Sequence, residues 1–479
     1  MLPGRGQQTA EVSGRLPGVV MVRPPQILTG EGTMDMCSFF ESPRSGVTPL
    51  LTLALLAGGC AVDPAREGTP PGDPTAEESA AEPDEADGDT GEAASAVAVP
   101  LWSEDFSYNR GWRIGKHLRD LADVDGDGLF DVVGFNDAGV YVGRSLGDRF
   151  DAPVLWTGDF GYQAGWRTNR HLRFLADNNG DGKRDIFGLY DDGVYVGESL
   201  GDKFGPMQRR LGAFGYSQGW RTNNHLRRVV DVNRDGFADV VGIREDGLHI
   251  ALGLRSGEFR EPVHVGDHFG RAAGYRLDRH PIDLADFDGD GYLDIGAFHD
   301  DGVFVARFDG ATFLSPTRWT LHFGRDLGRW QYDRHPRYFA DVDGDGKADA
   351  VGFHNLGSYV ALSTGTEFGL PSLWTPNFGY VTGAWRTNKH IRQLTDLDGD
   401  RRADVVGFFD DGVWVARSLG DTFAAPARMI DDFGYDAGRW SAQRHVRLIA
   451  DVTGTGYRSV VGFGDKGVYV GGFTFAQDD

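Results

Sequence analysis

One block of residues recurs seven times at nearly constant spacing, and this constrains the fold more than any other feature. The copy Phe160-Gly-Tyr-Gln-Ala-Gly-Trp-Arg-Thr-Asn-Arg-His-Leu-Arg-Phe-Leu-Ala-Asp177 stands for the set. Its aromatic falls at Trp112, Trp166, Trp220, Tyr275, Trp330, Trp385 and Trp440, and its closing acid at Asp123, Asp177, Asp231, Asp286, Asp341, Asp396 and Asp451. Both series step by 54, 54, 55, 55, 55 and 55 residues. Repeats of this period are supersecondary units that bury their apolar faces against neighbouring copies.

Each copy carries four short strand signals. In repeat 2, His171–Ala176 alternates, Arg184–Tyr190 is an apolar run, and Asp191-Asp-Gly193 is a hairpin turn before Val194-Tyr-Val-Gly197. Pro153-Val-Leu-Trp156 supplies the fourth strand of the copy before it. Four strands in about 54 residues make one propeller blade. No stretch sustains a 3.6-residue apolar period, so a helical solenoid is excluded. Repeat 7 lacks the Pro-x-x-Trp strand, and Val97-Ala-Val-Pro-Leu-Trp102 offers it from the other end. The chain is therefore expected to be all-β, a seven-bladed β-propeller over residues 97–479, closed by an N-terminal strand that leaves no open edge.

Composition agrees. Glycine is 70 of 479 residues but follows no triplet rule, while 40% hydrophobic and 12% aromatic residues suffice for a core. The net charge of −23 excludes a basic nucleic-acid footprint, and two cysteines, Cys37 and Cys60, cannot make a disulfide scaffold. Residues 1–60 read as a leader. Arg44 precedes an apolar run, Val47 to Gly59, too short to span a bilayer and of signal-core length. Small residues before Cys60 resemble a bacterial lipobox, so Cys60 is the expected lipidation site, with Met34 or Met36 a better start than Met1. Residues 61–96 are expected to be a disordered acidic linker, because the segment up to Ala98 holds eleven acids against one base, Arg66. An envelope lipoprotein on a tether, at the outer membrane or cell surface, follows as the expected location.

The loop after each block resembles a cation cage. Repeat 1 reads Asp123-Val-Asp125-Gly-Asp127-Gly-Leu-Phe-Asp131, with acids at loop positions 1, 3, 5 and 9. Hard oxygens in this number suit Ca²⁺ better than Mg²⁺. Four carboxylates about 5 Å apart repel by roughly 0.8 kcal/mol per pair even in water. The set continues as Asp177/Asn179/Asp181/Asp185, Asp231/Asn233/Asp235/Asp239, Asp286/Asp288/Asp290/Asp294 and Asp341/Asp343/Asp345/Asp349. Position 12 is Gly134 and the flanks are strands, so an EF-hand is ruled out. About five structural Ca²⁺ sites are expected. A sixth loop, Asp396, Asp398, Asp400 and Asp404, has Arg401 in place of the turn glycine, a base set against the ion. Asp451, Thr453, Thr455 and Ser459 of repeat 7 are expected to bind none.

Four repeats keep Trp-Arg-x-x-x-His-x-Arg intact: Trp112/Arg113/His117/Arg119, Trp166/Arg167/His171/Arg173, Trp220/Arg221/His225/Arg227 and Trp385/Arg386/His390/Arg392. Two roles fit. An indole face flanked by donors suits a sugar ring, with Tyr162, Tyr216 and Tyr380 alongside. Alternatively the Trp wedges between blades while His and Arg satisfy loop carbonyls. The blocks Phe-Gly-Tyr, Gly-Trp-Arg, His-x-Arg and Asp-x-x-Gly-Asp-Gly together resemble the Psathyrella velutina lectin family, and more broadly VCBS and integrin FG-GAP repeats. That resemblance implies a calcium-bearing propeller with sugar pockets between adjacent blades for N-acetylglucosamine, sialic acid or fucose. On it, the four intact repeats are expected to bind glycans, and Trp166→Ala to weaken binding without unfolding the ring. Departures at Tyr275, Ile282, Gln331 and Ser441 put pockets of repeats 4, 5 and 7 in doubt. Integrin-like protein binding is the alternative function. No asymmetric catalytic set occurs, so an enzyme is not expected.

Overall fold

The computed structural model describes residues 99–475. The expected leader with Cys60, the acidic linker and the start of the expected closing strand lie outside the described residues. Those that are described form seven four-stranded antiparallel sheets. Blade 1 comprises Leu118–Ala122, Asp131–Phe135, Val140–Gly143 and Val154–Thr157. Blade 2 repeats it with Leu172–Ala176, Asp185–Leu189, Val194–Gly197 and Gln208–Leu211. First strands of blades 7 and 1, 2 and 3, 4 and 5, and 5 and 6 touch one another, which places the first strands at the hub. Second strands such as Asp185-Ile-Phe-Gly-Leu189 are buried at every position, as strands covered on both faces must be. The only helical elements among the described residues are one short α-turn, Arg325–Gly328, and two 3₁₀ turns, Tyr216–Gln218 and Arg271–Ala273.

Ring closure follows the expected route with a shorter strand. Val446–Ala450, Ser459–Phe463 and Val468–Gly472 form three strands of blade 7, and the fourth is Leu101–Ser103. Leu101 pairs with Tyr469 and Ser103 with Val468 across a register shift. Further bonds join blade 7 to blade 1: Phe130 N–H donates to the Asp451 carbonyl at 3.2 Å, and Asn109 N–H to the Asp465 carbonyl at 2.9 Å. No sheet edge is left where the ring begins and ends.

Strand direction sorts the loops. In an antiparallel blade, the turn between strands 1 and 2 and the turn between strands 3 and 4 share one face. The turn between strands 2 and 3 and the crossover to the next blade share the other. The acidic loops therefore occupy one face of the ring, and the Phe-Gly-Tyr to His blocks the opposite one.

Each crossover opens with a phenylalanine in the left-handed region, φ 55–62° at Phe106, Phe160, Phe214, Phe269, Phe323, Phe378 and Phe433. A non-glycine residue there costs about 1–2 kcal/mol. In six blades a buried arginine holds the bend. Arg119, Arg173 and Arg227 donate to the carbonyls of Phe106, Phe160 and Phe214 at 3.0, 3.0 and 2.9 Å. Arg337, Arg392 and Arg447 do the same for Phe323, Phe378 and Phe433 at 2.8, 2.8 and 2.7 Å. Blade 4 has Ile282 instead.

The bend turns the phenylalanine ring and the motif tryptophan onto the second strand, where glycine makes room. A Cβ on Gly188 would lie 2.1 Å from the Trp166 Cη2 and 2.9 Å from the Phe160 Cε1. Gly188→Ala is therefore expected to lower stability by about 1–3 kcal/mol, the usual cost of overpacking. Gly205→Ala, whose Cβ would meet nothing closer than a carbonyl at 3.5 Å, should have little effect. Denaturant unfolding of both variants checks this, and equal midpoints would refute the packing argument.

Candidate functional site

The motif residues divide into a buried set and a half-exposed set. Trp112, Trp166, Trp220 and Trp385 are all buried, Trp166 to 1% exposure. Its rings lie 5.1 Å from Phe160, 5.5 Å from His171 and 4.7 Å from Tyr190, centroid to centroid. No indole face is open to a sugar. In this structure these tryptophans are core residues, and truncating Trp166 would open a cavity in the blade.

The histidines are used up as well. In His171, Nδ1 accepts the Arg167 backbone N–H at 3.2 Å, so the ring proton sits on Nε2, which meets the Asp191 carboxylate at 2.9 Å. His117 bonds Asp137 and His390 bonds Asp410 in the same way, while His225 lies 2.7 Å from Glu245. Burial pushes each of these imidazoles below its ordinary range, and the neighbouring carboxylate opposes the shift. Arg119, Arg173, Arg227 and Arg392 are buried against the phenylalanine carbonyls described above, with pKa values lowered by burial to about 10, 10, 9 and 10. These eight residues shape the crossover.

The half-exposed set lies at the blade junctions. Tyr162 of blade 2 receives Arg167 at 3.6 Å from its ring centroid and Lys116 of blade 1 at 4.4 Å. Tyr216 receives Arg221 at 3.9 Å and Arg170 at 4.1 Å, and Tyr380 receives Arg386 at 4.1 Å and Arg334 at 5.1 Å. Arg113 and Arg444 approach Tyr108 at 3.7 and 3.9 Å where the ring closes. Threonine hydroxyls stitch the same seams: Thr168 donates to the Gly115 carbonyl at 2.6 Å, Thr222 to that of Asn169 at 2.7 Å, and Thr387 to that of Asp333. Aromatic, cation and hydroxyl thus recur at junctions 1/2, 2/3 and 5/6. Lys116, Arg170, Thr168, Thr222 and Thr387 fill the positions read as variable in the motif. The Thr-Asn pair after the first arginine in three of the four intact copies was the signal available for them.

Junction 4/5, where a pocket was in doubt, is open. A cleft of about 380 Å³ lies there, lined by Asp278, Arg279, Asp300, Arg325, Tyr332 and Arg337 among others. Arg325 stands where blades 1, 2, 3, 6 and 7 place a tyrosine, and the aromatic residues that line this cleft are Trp330 and Tyr332. Its lining mixes three carboxylates with three guanidiniums, and Arg279 pairs with Asp300 at 2.5 Å.

On the opposite face, carboxyl oxygens converge within 4.8 Å in Asp123/Asp125/Asp127, Asp286/Asp288/Asp290, Asp341/Asp343/Asp349 and Asp396/Asp398/Asp404. Asp345, the fifth-position acid of the blade 5 loop, borders this set, its backbone N–H donating to Asp343 Oδ1 at 3.1 Å. It accepts the Lys347 backbone N–H at 2.9 Å and pairs with the Lys347 ammonium. Asp181 of blade 2 is held by Lys183 in the same way, at 2.7 Å. In the loops of blades 2 and 3, asparagine replaces the second acid. Asp177 Oδ1 accepts Gly180 N–H at 2.6 Å, and Asp231 Oδ2 accepts Gly236 N–H at 2.8 Å. Asn179 and Asn233 Nδ2 donate to Asp181 and Asp235.

The ninth-position acid is a buried clamp on backbone. Asp131 accepts Val124 and Ser145 N–H at 3.2 and 2.8 Å, and Asp185, Asp239, Asp294, Asp349 and Asp404 repeat the pattern. Burial, with neighbouring acids adding to it, raises Asp131, Asp294 and Asp404 to about 8 and Asp185 to about 7. In blade 6, Arg401 keeps the loop shape at φ 72°, its N–H donating to Asp396 Oδ2 at 3.0 Å as Gly128 does to Asp123. Arg402 bonds Asp400, and Arg417 lies 2.7 Å from Asp398.

Comparisons with known proteins fit this geometry. The profile of the FG-GAP-like repeat family matches residues 231–297 and 286–352. No curated protein is a significant match. A solved structure from Agrocybe aegerita, a lectin with specific recognition of non-reducing terminal N-acetylglucosamine, is 38% identical over 71% of this chain and 87% of that one, with a TM-score of 0.68. The Photorhabdus luminescens Tc holotoxin pore (16% identical, 72% of this chain, 16% of that one, TM-score 0.42) is too distant to carry an argument. The same holds for a Bacillus licheniformis rhamnogalacturonan lyase (14%, 75%, 72%, 0.41). With its seven blades, FG-GAP-like repeats and 38% identity over most of both chains, this chain belongs to the family of the Agrocybe aegerita lectin.

Proposed function

We propose that the chain is a non-enzymatic, multivalent carbohydrate-binding protein whose sugar sites are the tyrosine-bearing blade junctions. The observation that carries this is the repetition of one half-exposed aromatic–cation–hydroxyl group at junctions 1/2, 2/3 and 5/6 in a relative of an N-acetylglucosamine lectin. Neutral sugars, N-acetylglucosamine first and fucose second, suit Tyr162, Tyr216 and Tyr380 with Arg167, Arg221 and Arg386. Sialic acid, which carries a carboxylate, suits the arginine-lined cleft at junction 4/5. Single sites of millimolar strength, about −4 kcal/mol, combine on a clustered glycan to give roughly 10²–10⁴ in avidity. Attachment of such a ring to a bacterial envelope through lipidated Cys60 and the acidic linker belongs to the same reading.

In calorimetry with N-acetylglucosamine, more than one site per chain is expected. Replacing Tyr162, Tyr216 and Tyr380 together by Ala should cut retention on a clustered N-acetylglucosamine surface about tenfold or more at unchanged melting temperature. No heat at millimolar sugar would refute the proposal. Capture of a partner that survives deglycosylation would favour the protein-binding alternative, with which FG-GAP-like repeats also agree.

Calcium in the acidic loops is part of the proposal, because converging carboxylates repel until a divalent ion joins them. Without metal, Asp131, Asp294 and Asp404 hold protons in the fold up to about pH 8, against an ordinary value of 3.8. The folded chain then binds more protons than the unfolded one, so stability falls as pH rises through that window. The buried histidines act in the opposite sense, but their ordinary value of 6.5 confines them to lower pH. Between pH 6.5 and 8 in EGTA, the melting temperature should therefore fall, and calcium should raise it and flatten the slope. A melting curve indifferent to both chelator and pH would remove calcium from the account.

A further inference from the structure

Blade 3 departs from the other blades on its outer rim. The turn between its second and third strands carries Asp246, the third strand carries His249, and the fourth carries His264 directly opposite in the register. Ligand atoms of all three lie within 4.8 Å of one another. His249 Nε2 is 3.0 Å from Asp246 Oδ1, and His264 Nε2 is 2.8 Å from the Asp246 carbonyl oxygen. The two imidazole rings are 4.8 Å apart. Arg244 grips the same carboxylate, its Nε 2.8 Å from Oδ1 and its Nη2 2.6 Å from Oδ2.

Other blades show what this place ordinarily holds. In blade 2 the Tyr195 hydroxyl donates to Asp192 Oδ1 at 2.9 Å, and Arg209 donates to the Asp192 carbonyl at 2.7 Å. In blade 6 Trp414 Nε1 donates to Asp411 Oδ1 at 2.8 Å, and Arg428 lies 3.4 Å from Asp411 Oδ2. Indole and guanidinium cannot ligate a metal. Only blade 3 sets two imidazoles against the turn carboxylate while keeping the hydrogen-bond geometry of the rim.

We propose that Asp246, His249 and His264 bind one divalent transition-metal ion of the zinc class. Two imidazoles and a carboxylate suit zinc and its neighbours, whereas calcium takes oxygen ligands. Ligand atoms around a tetrahedral zinc sit about 3.4 Å apart, given bonds near 2.1 Å, so the side chains close by roughly an ångström. Arg244 then acts as the outer partner that orients the ligating carboxylate. Burial holds His249 below its ordinary range, in the neutral form that ligates. His264 and Asp246 are exposed, so the ion enters from solvent. Three protein ligands leave a fourth position for water or an outside donor.

The test is a ZnCl₂ titration by calorimetry on the tag-free full chain with calcium saturating the acidic loops. One equivalent of tight binding is expected. The double variant His249→Tyr, His264→Arg carries the side chains that blade 2 has at Tyr195 and Arg209 and so keeps the rim. It should bind that equivalent at least tenfold more weakly, and Asp246→Asn should weaken it too. A melting temperature of the double variant equal to that of the parent shows that the ring is intact. Zinc should raise the parent's melting temperature and leave the double variant's unchanged. Absence of zinc uptake by the parent, or equal uptake by the folded double variant, would overturn the assignment.

Discussion

The hydrogen bond from a buried arginine to a left-handed phenylalanine carbonyl organises most of what this ring displays. The bend at Phe160 lays that ring and Trp166 against Gly188, and only then does the chain climb back to His171 and the first strand. Arg173 has no carboxylate beside it. Its guanidinium lies 5.2 Å from the Phe135 ring of the preceding blade, so the cation is met by an aromatic face and a carbonyl dipole. The same side chain thus fixes the bend within one blade and the seam with the blade before it. Blade 4 has Ile282 in place of this arginine, while at the seam with blade 5 Arg337 lies 5.5 Å from the Phe298 ring, which also stacks on Phe339 at 4.2 Å.

Much of this was legible in the residues, for a reason that also limits the reading. Repetition at 54–55 residues reveals a blade, and a missing strand at one end with its likeness at the other reveals a circle. Among the described residues the closing strand is Leu101–Ser103, preceded by the Pro100 carbonyl, which accepts Val470 N–H at 3.1 Å. Repetition does not separate residues that architecture needs from residues that a ligand needs. Trp166, His171 and Arg173 have the chemistry of a sugar site and the burial of a core. The positions of Lys116 and Thr168 vary between copies, so repetition does not mark them. Asp345 has the spacing of a ligand, and a lysine two residues on pairs with it. His249 and His264 are fifteen positions apart, and only the register of a hairpin brings them face to face.

The acidic loops show the same double duty. The Asp123 carbonyl accepts Arg184 N–H from the next blade at 2.9 Å, and the Asp177 carbonyl accepts Ala238 N–H at 2.9 Å. In blade 7 the Thr453 and Thr455 hydroxyls lie 2.8 Å apart where other loops place carboxylates, while Gly454 and Gly456 N–H still donate to Asp451 at 2.8 Å. Loop shape is therefore a property of backbone and turn residues. The first-position carboxylate holds the turn in blade 7 as in blade 1, whereas those at positions three and five, replaced by threonine in blade 7, add charge that a cation would answer.

Strand polarity has a consequence for presentation. The strand Leu101–Ser103 is the fourth of its blade, and fourth strands run away from the acidic loops toward the crossovers. The described chain therefore enters this strand from the carboxylate side of the disc. A ring held by that end would show its tyrosine seams to the outside like the front of a coin, with the point of attachment hidden on the reverse.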